Sequence, residues 1–197
     1  MADVLRTSVP ATIRAASPSD ALLLATIHVA SWQESYAGLI PDVMLETLSV
    51  AERAARWQTI LREPEAFSAT AVFVAERDGQ AIGFGACGEQ RTPALREQGF
   101  TAEISAVYVL RAAQRSGVGS ALMAAMARLL ASRGHRAASL WVLRENALAR
   151  GYYERLGGRV IGEKEERREN VTLVEMAYGW RDLHRLVAYT TKRHLTD

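Results

Sequence analysis

The stretch from Glu103 to Gly134 restricts the fold more than any other part of the chain. Glu103-Ile-Ser-Ala-Val-Tyr-Val109 is rich in β-branched and aromatic residues and reads within a strand from Thr101 to Val109. The loop Gln114-Arg-Ser-Gly117-Val-Gly119 follows, and then an apolar, alanine-rich helix to Ser132 that Gly134 ends. Ala138 to Val142 reads as the next strand. A strand, a helix and a strand in this order predict a right-handed crossover with the two strands parallel. The rest of the chain must be built around that unit.

On the N-terminal side, residues 10–16 read as a short strand, and Ser17, Pro18 and Asp20 carry the chemistry of a helix start. That helix continues through Trp32 to Tyr36, where Gly38 ends it, and Pro41-Asp42 begins a second, short helix. Ser49 followed by Glu52 is a capping box for a third helix reaching about Leu61. Ala71 to Glu76 and Gln80 to Cys87 form a hairpin about Asp78-Gly79. Residues 88–100 read as a polar loop. Beyond the crossover, Asn146 to Leu156 reads as a helix. Arg159 to Glu163 and Val171 to Tyr178 read as a second hairpin, with the charged run Glu163 to Glu169 as its solvated turn. Asp182 to Arg193 is amphipathic and helical. With strands before, between and after helices, the expected class is α/β, a mixed sheet with helices on both faces.

The 197 residues show no repeat and no linker, so one domain is expected over 1–197, with a core at about 10–178 and an extension at 180–197. A hydrophobic share of 49% with 23% charged residues is too apolar for a disordered chain and too mixed for a membrane protein. No run approaches the ~20 apolar residues that span a bilayer, and Met1 to Pro10 lacks an apolar signal core, so a cytoplasmic location is the default. Cys87 is the only cysteine, and His28, His135, His184 and His194 lack ligand spacing, which argues against a metal. A net charge of +2 with intermixed signs argues against nucleic acid as a partner.

A glycine loop opening into a helix suits an anion such as a pyrophosphate, because the first amides of the helix lack intrahelical acceptors and the dipole is positive there. A Walker loop needs Gly-x-x-x-x-Gly-Lys-Ser/Thr, which is absent. A dinucleotide fingerprint needs a glycine or alanine where Leu122 stands, and its glycines directly after the strand, where Leu110 to Ser116 intervene.

The run Gln114-x-x-Gly117-x-Gly119 resembles motif A of the GNAT superfamily of N-acetyltransferases. Asn146-x-x-Ala149-x-x-x-Tyr153-x-x-x-Gly157 resembles a later motif of the same family. The likeness spans about residues 10–178 and is most specific over 103–157. It implies a mostly antiparallel sheet with a central, splayed parallel strand pair, and acetyl-CoA as co-substrate with no metal. It further implies that Gln114, Arg115, Ser116, Gly117, Val118, Gly119 and Ser120 hold the pyrophosphate. The strand backbone at Val107, Tyr108 and Val109, with Asn146, would hold the pantetheine arm. Tyr153 would protonate the leaving thiolate, and a backbone N–H in the Val107–Tyr108 stretch would stabilise the oxyanion. Family members often carry an aromatic residue where this chain has Gly158, which bears on packing and not on the chemistry.

An acceptor ammonium must lose a proton before attack, and Glu103 is the candidate base, directly or through water. Strand alternation would place it on one face with Ser105 and Val107. A structural role as a solvated carboxylate stays open for Glu103, a core role for Tyr153 and an N-cap role for Asn146; Tyr152 is read as packing. Cys87 as a covalent nucleophile is the lesser alternative to a small core residue. Trp32, Glu34 and Tyr36 lie on the side that covers the acceptor in the family, and the aromatics Trp32 and Tyr36 are the candidate substrate contacts. The expected reaction is acetyl transfer to the primary amine of a small molecule by direct attack in a ternary complex. A protein or peptide N-terminus as acceptor, or a non-catalytic acyl-CoA-binding module, are the alternatives. Residues 180–197 are free to pack on the domain or on a second subunit, so a homodimer stays open.

Overall fold

The computed structural model describes residues 10–168 and 171–192. Seven strands form one sheet in the order β1 (Thr12–Ala15), β2 (Ala71–Arg77), β3 (Gln80–Glu89), β4 (Ala102–Val109), β5 (Ala138–Leu143), β7 (Val171–Trp180) and β6 (Arg159–Arg168). Every neighbouring pair is antiparallel except β4 and β5, the two strands of the expected crossover.

Three helices cover one face: α1 (Ala21–Tyr36), α3 (Val50–Arg62) and the short α4 (Pro93–Glu97); α2 (Asp42–Glu46) follows α1. Leu24 and Ile27 of α1 and Trp57 and Ile60 of α3 pack there against Val72, Val74, Phe84, Ala86 and Ala106. The other face carries α5 (Val118–Ser132), α6 (Ala147–Arg155) and α7 (Leu183–Lys192). Leu122, Met123, Met126 and Leu130 of α5 fill the layer between the sheet and Leu183 and Leu186 of α7. β3 permits this close approach because it offers almost no side chain beneath α5. A Cβ at Gly85 would stand 2.8 Å from Met126 Cε.

Local chemistry explains most boundaries. Ser17 caps a 3-10 turn at Pro18–Asp20 that runs on into α1, and the Ser49 hydroxyl accepts from the Glu52 amide at the start of α3. Asp78 and Gly79 both have positive φ, the hairpin geometry that their types favour. Two expectations need correction. Residues 88–100 are not all loop: Thr92 and Pro93 start α4, a capping residue and an N1 proline in a polar setting. From Glu163 to Arg168 the charged run is strand and not turn. β6 extends through it to Arg168, stabilised by its register with β7. Glu169 and Arg193, the far limits of that run and of the last helix, lie outside the described residues.

β1 is locked to the start of α1 by charge. The Arg14 guanidinium donates to both Asp20 oxygens, at 2.9 and 2.8 Å, and to Glu76 Oε1. Arg14, with further bonds from the Ser17 amide and hydroxyl, holds the Asp20 carboxyl well below the usual range despite its burial. A depressed carboxyl stabilises the fold above its unfolded pKa of about 4, and that contribution fades as pH falls towards the folded value. Acidification below about pH 4 should therefore lower the thermal unfolding midpoint of the wild type more steeply than that of Asp20→Asn. Parallel losses in the two proteins would contradict this.

Candidate active site

The parallel contact of β4 with β5 is confined to two pairs, Ala102–Ala138 and Glu103–Ser139. Beyond them the strands part, and among the described residues the β5-facing edge of β4 from Ile104 onward has no strand partner, although β4 stays paired with β3 as far as Val109. Unpaired strand amides are strong hydrogen-bonding groups that need a ligand or water. The wedge between the strands is therefore a slot for an extended, amide-bearing chain.

A bulge shapes that edge. The β3–β4 register shifts between Ala86–Ala106 and Cys87–Ile104, leaving Ser105 as the extra residue. Before the bulge Ala102 and Ile104 face the α5 layer. After it, Ala106 and Tyr108 face α1 and α3, while Val107 and Val109 face α5. Simple alternation from Glu103 through Ser105 to Val107 therefore fails: the bulge puts Glu103 on the face of Ala106 and Tyr108, opposite Val107.

At the open end of the wedge, Leu110 leads through a 3-10 turn at Arg111–Ala113 to Gln114 and the helix start. Arg115 and Gly117 both have left-handed backbone, with φ of 57° and 81°. Among the described residues no side chain caps α5, so the amides of its first turn are open to a ligand or water. The Gln114 side chain turns back to the Val109 carbonyl, and Ser116 bonds the Ala113 carbonyl. Gly119 admits a neighbour from α6: a Cβ there would stand 3.1 Å from the Tyr152 hydroxyl. An uncapped helix start beside an unpaired strand edge suits a pyrophosphate joined to an amide-bearing arm, which is what coenzyme A offers.

Across the wedge, Asn146 caps α6, its Oδ1 accepting from the Ala149 amide at 3.0 Å. Its side chain also lies beside the Tyr36 hydroxyl. Tyr153 is 8% exposed and packs on Tyr152, Tyr178 and Trp180. Burial first, then Tyr36, Tyr152 and Tyr108 nearby, push its phenol far up, so it stays protonated at any working pH. Glu103 is also buried, at the narrow end of the wedge, where the Arg91 guanidinium takes both its oxygens.

The end of α1 reaches β4, the start of the loop and the cap of α6. Trp32 Nε1 donates to the Tyr108 hydroxyl at 3.0 Å, the Glu34 carboxylate accepts from the Arg111 amide at 2.7 Å, and Tyr36 meets Asn146. Trp32 and Tyr36 pack edge to face at 4.9 Å. His28 stacks on Tyr108 at 4.7 Å, and burial, with Arg53 and Arg56 nearby, pulls it down to about 3, so it packs as a neutral ring.

The structure thus brings Tyr153, Asn146, Tyr36, Trp32 and Tyr108 together and sets Glu103 at the closed end with its own counter-ion. No sequence signal pointed to Arg91, Arg111 or Arg77, whose guanidinium holds the Ser116 hydroxyl at 2.9 Å from the β2–β3 hairpin. None of these lies in a motif, and only the folded sheet brings them near. No group of acids, histidines and cysteine among the described residues is placed to hold a metal, and no described helix is long and apolar enough to cross a membrane.

The model of the acetyltransferase (GNAT) family matches residues 32–158. An uncharacterized N-acetyltransferase of Bacillus subtilis, YuaI, is 31% identical over 176 residues, 89% of this chain and 95% of the relative. Among solved structures, the PaiA N-acetyltransferase of Thermoplasma acidophilum, in complex with coenzyme A, superposes with a TM-score of 0.66 at 19% identity, covering 87% of this chain and 100% of that one. YncA of Salmonella typhimurium, with its cofactor acetyl-CoA, gives 0.61 at 19% identity over 87% and 93%.

Gly117→Val would force a β-branched residue into left-handed backbone at about 1–2 kcal/mol. Relief of that strain would re-aim the loop amides. Calorimetry should find acetyl-CoA binding weaker by about tenfold, the equivalent of 1.4 kcal/mol. Unchanged affinity would mean that the loop amides do not hold the cofactor.

Proposed function

We propose that this chain, which belongs to the GNAT acetyltransferase family, moves an acetyl group from acetyl-CoA to the primary amine of a small molecule by direct attack in a ternary complex. The observation that supports the small-acceptor reading is that the end of α1 lies across the wedge. Trp32 on Tyr108 and Tyr36 on Asn146 narrow the approach to the reacting end, which favours a compact amine over a peptide chain.

Acetyl-CoA supplies an activated thioester, and the protein's own groups hold it and move protons. The β4 amides past the bulge would hold the arm, and one in the Val107–Tyr108 stretch would bond the carbonyl oxygen as charge develops there. The acceptor enters as an ammonium at neutral pH. Glu103 is the base, working through water, because its carboxylate sits at the narrow end with Arg91 fixing its orientation. Tyr153 donates its proton to the thiolate as the C–S bond breaks, and burial keeps the phenol protonated until that point. Direct attack is favoured over an acetyl-cysteine route by the setting of Cys87: it is fully buried under α5, and burial pushes its thiol up to about 12.

Tyr153→Phe should lower kcat at least about tenfold while the Kd for acetyl-CoA stays within about twofold, the pattern of an interaction made only in the transition state. Steady-state thiol release and calorimetry measure the two; an unchanged kcat would remove Tyr153 from this role. Glu103→Gln should flatten the acid limb of the pH–rate profile, and an unaltered profile would reject Glu103 as the base.

A further inference from the structure

On the face of the sheet that carries Tyr108 and α1, a lysine ammonium already occupies a small built site beside the wedge. Lys164 Nζ lies 4.4 Å from the centre of the Trp141 ring and 2.9 Å from Glu175 Oε2. Trp141 is fixed by the hydrogen bond from its Nε1 to the Thr92 hydroxyl at 3.2 Å. An aromatic face with a carboxylate at its rim attracts cations, and the attraction grows as the site is desolvated. Lys164 is one of only two lysines in a chain that otherwise uses arginine for positive charge. The group found in this site is thus a primary ammonium on an aliphatic stem.

Position ties the site to the reacting end. Two residues past the last β4–β5 pair, Glu103–Ser139, the register brings the Ser105 bulge level with Trp141 across the opening wedge. Glu175 stands opposite Leu143 on β5 and Lys164 on β6. Leu173, two residues before it on the same face, packs with Trp32 and Tyr36, and the Glu175 charge is felt at both the Tyr36 and Tyr108 hydroxyls. Glu175 is the more enclosed partner, its side chain 21% exposed against 43% for Lys164. Lys164 is therefore the partner with room to leave, and a cation of the acceptor can take its place beside the carboxylate.

Resting on the small-amine reading above, we propose that Trp141 and Glu175 form a subsite for a second cationic group of the acceptor. Lys164 holds this subsite in the free protein, so the preferred acceptors are diamines and related primary amines that carry a further positive charge. Strand spacing of ~4.8 Å puts the subsite about one to two strands from the wedge, roughly 5–10 Å, the span of a four- or five-carbon diamine.

The test uses the full chain with saturating acetyl-CoA and compares diaminobutane with butylamine by thiol release. The wild type should favour diaminobutane at least about tenfold in kcat/KM, and Glu175→Gln should shrink that ratio towards one. Lys164→Met should lower KM for diaminobutane several-fold by removing the internal competitor. If both amines are accepted without preference, or if the preference survives Glu175→Gln, the subsite is wrong while the acceptor reading stands. If no amine is turned over, the acceptor reading falls, and calorimetry on the CoA-bound protein decides the subsite alone. Diaminobutane binding to Lys164→Met that is lost in the Lys164→Met, Glu175→Gln double variant would uphold it. No binding to Lys164→Met would overturn it.

Discussion

The parting of β4 from β5 after two residue pairs is the constraint on which the rest of the structure depends. A parallel pair would ordinarily bury its hydrogen-bonding edge against its neighbour. Here the edge of β4 is left open, in the middle of a seven-stranded sheet, and the fold must keep it so. It does this from both sides. On one face, α5 is anchored over β3 by Met126 resting on Gly85, which fixes the end of the glycine loop. On the other, α1 and α3 hold β4 through Ala106 and Tyr108. β5 is drawn the other way by its six-residue register with β7.

The same constraint explains why the end of α1 reaches three sides of the wedge. A wedge between strands has no rigid roof of its own, so an element packed across it must set its width. Trp32, Glu34 and Tyr36 reach β4, the start of the loop and the cap of α6 respectively. Residues that look like acceptor contacts from their place in sequence thus also hold the wedge together. A substitution at Trp32 or Tyr36 is then expected to act on both substrates at once.

Much of this was legible in the sequence because the informative features are local. The Gln114–Gly119 loop, the Asn146 cap, the Asp78-Gly79 hairpin and the Ser17 and Ser49 helix starts each depend on residues a few positions apart, where turn and capping chemistry decides the backbone. The bulge at Ser105 was not legible. It is set by register with β3, and a one-residue slip reverses every following side chain, so the face assigned to Glu103 relative to Val107 came out wrong. The Arg91 partner of Glu103 and the Lys164–Trp141–Glu175 site were hidden for the same reason: each joins separate strands or loops. The charged residues after Glu163 read as a turn, because a solvated strand paired on one edge carries the same polar composition.

Hydrogen exchange with and without acetyl-CoA tests the central claim most directly, since it reads the amides on which the account rests. Acetyl-CoA should slow exchange in two separate stretches, the β4 edge from Ser105 to Val109 and the helix start from Arg115 to Ser120. β2, whose amides face other strands, should be unaffected. Tight binding that protects the helix start and leaves the β4 edge unchanged would contradict the account, because the wedge between β4 and β5 would then not be where the acetyl-bearing arm lies.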